Sequence, residues 1–157
     1  TALGYNYRLS DIGCALGRSQ LRRLETTLSR RRALAQRYTD ALRELPGVLL
    51  PAVRPDVTPS WHLYPIRLAW PGAEADRAEV FRAMRARRLG VNVHFIPVHL
   101  PPYYRARFGS QPGDYPIAEE AYARLITLPL FPAMSDQDVD DVITVTREVV
   151  AATHRSA

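Results

Sequence analysis

The sequence predicts an α+β fold: a long N-terminal helix, a small, mostly antiparallel sheet, and helices that cover it. Three observations carry this. Apolar residues recur at spacings of three and four between Ile12 and Leu45, the period of one helix face. Two segments, residues 61–70 (WHLYPIRLAW) and 91–98 (VNVHFIPV), are aromatic and β-branched, as strands are. Two stretches with helical spacing, 115–126 and 135–150, flank a proline-bounded extended piece, Leu128-Pro129-Leu130-Phe131-Pro132.

Taken in order, Ser10 or Asp11 offers the N-cap oxygen of the first helix. The helix is expected over 11–45, with a bend or break near 23–27, and Pro46-Gly47 stops it. Residues 48–50 suit a short strand, and the proline-rich 51–60 a loop. In the 61–70 strand Pro65 implies an edge position or a bulge, and His62 and Tyr64 are expected to share one packed face. Pro71-Gly72 turns the chain. A helix follows over 76–89, with Val80, Phe81 and Met84 inward and Gly90 at its C-terminal end. After the 91–98 strand, 99–113 reads as a loop. Ser135, with Asp138 three residues on, predicts a capping box for the last helix. The long helix carries more apolar surface than this sheet can cover, which implies another domain or subunit.

Composition narrows the class. The chain has 157 residues, 46% hydrophobic, with no lysine: all 21 basic residues are arginine. No apolar run approaches the roughly 20 residues of a membrane span, so no membrane role is expected. A single cysteine, Cys14, forbids an internal disulfide; with no signal pattern visible, it points to the cytoplasm. Cys14 itself is expected to be a small buried hydrophobe. The net charge of +5 raises the question of nucleic acid. Yet Arg30, Arg31 and Arg32, with Arg22, Arg23 and Arg37, encircle a helix without interleaved aromatics, which implies a solvated surface and no nucleic-acid partner. A chain that opens on Thr1, directly ahead of a dense motif, is expected to be a piece of a longer one.

Four motifs stand in order: 4–12 (GYNYRLSDI) with Ala15-Leu16-Gly17 and Gln20-Leu21; 61–68 (WHLYPIRL); 90–100 (GVNVHFIPVHL) with Tyr103-Tyr104; and 118–132, from Ala118-Glu119-Glu120-Ala121 to the Leu-Pro-Leu-Phe-Pro run. In this order and spacing they resemble the C-terminal part of the DegT/DnrJ/EryC1/StrS sugar aminotransferases. The wording is most similar to the branch that aminates a UDP-linked 4-keto-6-deoxy-N-acetylhexosamine on the way to pseudaminic acid.

The resemblance implies the small C-terminal domain of a fold-type I aminotransferase, with a linking, long-helix segment at 1–46 and the α+β domain at 47–157. It implies pyridoxal phosphate as cofactor, a homodimer with shared active sites, a nucleotide-linked keto sugar as acceptor, and glutamate as amine donor. These enzymes serve surface-glycan and antibiotic-sugar synthesis. Asn6 matches the asparagine that reaches the cofactor phosphate of the partner subunit, and Arg8 would add positive charge there. His94, Phe95, His99 and Tyr104 fall where the family contacts substrate. No catalytic residue is expected within the chain: transamination needs an amine that bonds the cofactor aldehyde and then moves a proton, and guanidinium stays protonated. The chain alone is therefore expected to be inactive.

The residues read alone leave alternatives. Asn6 suits a turn cap, and Arg8 an ion pair. His94 and His99 are five apart and would face opposite sides of a strand; with no third ligand at a suitable spacing, no metal is expected. His94 also suits a buried, backbone-bonded histidine. Glu119 and Glu120 point apart on a helix and do not make a catalytic carboxylate pair. As a whole, the chain also suits a non-catalytic dimerisation or binding module, or, less well, a basic nucleic-acid-binding domain.

Overall fold

A computed structural model describes residues 4, 5 and 7–156. Helix α1 (Asp11–Arg22) leads into α2 (Leu24–Leu42), then strands β1 (Val48–Leu49) and β2 (Tyr64–Leu68). Helices α3 (Ala73–Ala86), α4 (Pro102–Phe108) and α5 (Pro116–Arg124) follow, then β3 (Leu125–Leu128) and α6 (Asp136–Ser156). The sheet is antiparallel, in the order β1-β2-β3.

The long N-terminal helix does break where expected, at Arg23. Ser10 Oγ accepts from the Gly13 N–H at 3.2 Å and starts α1. Burial, however, begins only with Leu34, Ala35, Tyr38 and Leu42 of α2; none of α1 is buried. Cys14 is accordingly exposed. Its helix face has the expected spacing, but the described residues leave it unburied.

The core sits on one face of the sheet. Tyr64, Ile66 and Leu68 alternate inward from β2. Against them lie the α2 residues, Val80 and Met84 of α3, and Val139, Val142 and Val150 of α6. Tyr38 buries its ring and donates its hydroxyl to the Pro129 carbonyl at 2.7 Å; the Tyr64 and Thr39 hydroxyls pair at 2.8 Å. Burial holds the Tyr38 phenol well above its ordinary pKa. Gly47, at φ 80°, has no room for a side chain: a Cβ there would stand 2.9 Å from the Trp70 ring.

Around the sheet and the end of α3, four more expectations change. Pro65 lies on the central strand, not an edge. Thr127 opposite it exchanges both backbone hydrogen bonds with Asn92, on the far side of β3. Pro65 therefore turns its nitrogen toward the β1 side, where β1 pairs only as far as Leu49 with Arg67, and no ladder bond is lost. His62 is exposed and precedes β2, so it does not share the packed face of Tyr64. Trp61 next to it takes φ 50°. The positive φ after α3 falls on Arg88 (63°), not Gly90. The 91–98 strand reduces to a single bridge, Asn92 with Thr127, and the true third strand is β3, whose first two residues had been expected to end a helix.

The arginines of α2 are not a solvated surface. Arg31 Nη1 donates to the carbonyls of Trp61 (3.0 Å), Leu130 (3.0 Å) and His62 (3.3 Å). Arg30 reaches the Met134 carbonyl and Asp136, and Arg37 pairs with Asp136 and Asp140. They fasten α2 to the segment ahead of β2 and to the stretch that runs from Leu130 into α6. At the start of α6 the capping box forms: Asp138 N–H donates to Ser135 Oγ at 3.1 Å, and Asp138 Oδ2 accepts from Ser135 N–H at 2.8 Å.

Candidate functional site

The excursion from 91 to 119 builds the candidate site. Asn92 pairs its backbone with Thr127, N–H to O at 3.1 Å and O to N–H at 2.8 Å. That anchors the segment to the edge of β3, and Thr127 Oγ1 then meets His94 Nδ1 at 3.1 Å. The His94–Phe95 peptide is cis, and the two rings meet edge-on at 4.7 Å. Phe95 is 75% exposed.

Beyond Pro97 the chain turns into α4. Pro102 suits its first turn, where a missing N–H costs nothing, and Gly109, at φ 71°, ends it. Three hydrogen bonds close the loop on itself. Ser110 Oγ donates to the His99 carbonyl at 2.8 Å. The Gly113 N–H donates to Glu119 at 2.9 and 3.0 Å to its two oxygens. His99 Nε2 lies 2.8 Å from Glu119 Oε1. The hydrogen bonds from His99 and from Gly113 hold the Glu119 carboxyl below its ordinary range. His99 is little exposed, at 10% of its side chain.

These contacts enclose an open cavity of about 400 Å³ with a mainly apolar wall, including Val98, Tyr104, Phe108 and Tyr115. The Tyr115 ring lies 4.7 Å from the His99 ring. Tyr104 and Phe108 stack at 6.2 Å and 17°.

Of the substrate-side residues expected from the sequence, the structure brings His99 and Tyr104 together on this cavity. His94 and Phe95 adjoin each other outside its lining. Asn6 lies outside the described residues. Arg8 is exposed, just ahead of the α1 cap. Glu119, Ser110 and Tyr115 had no expected role in a site. Glu119 does not pair with Glu120, and its true partner is twenty residues upstream, a separation no local spacing rule connects. Pro116, at the first turn of α5, was the available clue, because it places Glu119 in that turn facing the loop. Among the described residues, no group of three His, Cys, Asp or Glu side chains converges as metal ligands.

The described residues form a three-stranded α+β domain with an unburied N-terminal helix and an aromatic, histidine-bearing cavity. Residues 1–147 match the DegT/DnrJ/EryC1/StrS aminotransferase family, and the chain belongs to it. It is 42% identical, over 94% of its length, to the spore coat polysaccharide biosynthesis protein SpsC of Bacillus subtilis, of which it covers 38%. It superposes on S. venezuelae DesV with a TM-score of 0.85 at 33% identity, over 95% of this chain and 38% of that one. Helicobacter pylori PseC, an aminotransferase of pseudaminic acid biosynthesis, shares the fold at a TM-score of 0.83 and 23% identity, over 97% and 40%. The chain thus spans about two fifths of the length of the relatives it matches.

Pyridoxal phosphate, the cofactor that the family implies, does not fit this chain by itself. The 157 residues contain no lysine to bond it. The cavity beside His99 is walled mainly by apolar side chains and presents no cationic side chain to a phosphate.

Proposed function

We propose that this chain is the C-terminal part of a pyridoxal-phosphate aminotransferase that moves an amino group, from glutamate, onto a nucleotide-linked keto sugar for polysaccharide or antibiotic-sugar synthesis. One observation carries the reading: the match takes in 94% of this chain but 38% of SpsC. The lack of any lysine in the chain agrees with it. The covalent chemistry then belongs to the remainder, and this part shapes the pocket. The protein works in the cytoplasm as a homodimer. Neither nucleic acid nor membrane enters the reaction, and no described helix is long and apolar enough to cross a bilayer.

Within this division, residues 1–46 link and 47–157 cover. Asn6 donates its amide to the cofactor phosphate of the partner subunit, and Arg8 adds positive potential there. His94, Phe95, His99 and Tyr104 lie on the substrate side. The exposed apolar positions Ile12, Leu16 and Leu21 of α1 would pack on the rest of the enzyme.

Borohydride reduction of the full-length protein loaded with cofactor tests the reading. One pyridoxyl group per chain is expected, on a lysine outside these 157 residues; its absence defeats the proposal. Asn6→Ala in that protein is expected to weaken cofactor retention about tenfold, the worth of one charge-assisted hydrogen bond. Unchanged retention removes the role given to Asn6.

A further inference from the structure

The cavity beside His99 is walled by a single segment. All of its lining lies between Pro97 and Ala118, and none of it comes from the sheet, α2, α3 or α6. From Asn92 to Leu125 no residue is buried. The apolar burial that ordinarily fixes a stretch of chain is therefore missing. The base of the segment is anchored at both ends. Asn92 bonds to Thr127 of β3, and Arg77 of α3 donates to the Tyr122 carbonyl at 2.9 Å and lies over its ring. Between these anchors, three side-chain contacts close the loop, and two of them end on one carboxylate. Glu119 accepts from the Gly113 N–H at 2.9 and 3.0 Å and lies 2.8 Å from His99 Nε2. The third runs from Ser110 Oγ to the His99 carbonyl. An ionised acceptor roughly doubles the strength of each bond. Glu119 also stands in the first turn of α5, where the helix dipole favours negative charge. Gly109 (φ 71°) and Gly113 (φ 98°) flank the turn that carries Ser110. Nothing lies within 4 Å of the place a Cβ would take at either, so both are open pivots.

We propose that residues 97–113 form a strap that opens as a unit from the folded domain, with the Glu119 carboxylate as its clasp. While Glu119 holds His99 and the Gly113 N–H, the cavity exists. When it lets go, all of the lining except Tyr115 and Ala118 leaves with the strap, and the sheet stays folded. Access to the cavity is then set by the opening of one carboxylate clasp. The inference goes beyond the aminotransferase reading and stands without it, because the opening is a property of these residues and not of the reaction.

Hydrogen–deuterium exchange on the full-length, cofactor-loaded protein, at one fixed neutral pH, tests this. Amides bonded inside the strap, such as Leu100 to Pro97 and Gly109 to Arg105, are expected to exchange at least about tenfold faster than those of β2 and β3 and to respond less to urea, as a local opening does. Ile66→Val weakens the core in the clasped and open forms alike. It should speed the sheet amides several-fold and leave the strap amides unchanged. Glu119→Ala weakens only the clasped form and should speed the strap amides at least about tenfold, the worth of one charge-assisted hydrogen bond. Where that variant does not fold, Glu119→Gln makes the same comparison with a smaller rise. Strap and sheet amides that exchange together in the wild type, because the rest of the enzyme clamps the strap, overturn the inference. So do strap amides that follow Ile66→Val, or strap amides indifferent to the loss of the Glu119 charge. None of these rates depends on transamination, so this inference and the proposed function can each fail alone.

Discussion

Replacing Arg31 by alanine tests the claim that arginine holds α2 to the sheet side of the domain. Nη1 approaches three carbonyl oxygens, of Trp61, Leu130 and His62, at 3.0, 3.0 and 3.3 Å. It carries two protons, so two full hydrogen bonds are the ceiling. A hydrogen bond from a charged donor contributes about 1.5–3 kcal/mol net. The His62 contact is solvent-exposed and water replaces it in the variant, whereas the Trp61 and Leu130 contacts are part-buried. Losing both part-buried bonds therefore costs about 3–6 kcal/mol. At about 2–4 °C per kcal/mol for a chain of this size, Tm should fall by roughly 6–24 °C. Urea denaturation beside an Arg43→Ala control gives the comparison. Arg43 pairs with Asp40 on the surface at 3.1 Å, both side chains about 60% exposed, and such pairs contribute about 0–1 kcal/mol. An Arg31→Ala loss no larger than that of the control would refute the assignment.

Two further outcomes follow from the fold. Ile66→Ala, at a fully buried position of the central strand, is expected to cost about 2–5 kcal/mol by urea denaturation, against under about 1 kcal/mol for Leu49→Ala, which is half exposed; equal costs would contradict the placement of the core face. Asp138, through its bonds with Ser135, and Glu119, through those from His99 and Gly113, both have carboxyls held below the ordinary range. A depressed folded-state pKa stabilises the fold above the unfolded value of ~4, and that contribution is lost as pH falls through the lowered value. Asp138→Asn and Glu119→Gln should therefore flatten the acid limb of the stability–pH profile, and an unaltered limb in both would count against these contacts.

What could be read from the sequence was whatever short-range rules govern. The Ser135–Asp138 box, the break at Arg23 and the end of the long helix ahead of Pro46-Gly47 depend on neighbours within four residues, and all three form, the last of them three residues early, at Leu42. Propensity failed where a distant partner decides. Val91 and Val93 have strand-forming side chains, yet a single bridge to Thr127 is all the sheet edge accepts. Leu125 and Ile126 continue the spacing of α5, yet pairing with Arg67 and Ile66 draws them into β3. Pro65 reads as an edge residue until Asn92 is known to take both backbone bonds of Thr127.

Periodicity locates an apolar face but not what lies against it. Ile12 and Leu16 keep good helical spacing and are 84% and 61% exposed, whereas Leu34 and Leu42, equally apolar and on the same run of spacing, are fully buried. The difference is position: α2 packs on α6 and against Tyr64 of β2, and α1 does not. The same ambiguity holds in the 95–117 excursion, where Phe95, Val98, Tyr103 and Phe108 are each at least 66% exposed. Polar tethers distinguish a built surface from a loose one there. His99, Ser110, Gly113 and Glu119 lock the backbone with hydrogen bonds whose partners lie six to twenty residues apart, so the aromatic rings are held in place without a core beneath them. The histidine that is doubly tethered, through its ring and its carbonyl, is therefore a stronger candidate for ligand contact than His94, whose single bond to Thr127 is explained by anchoring the segment to β3.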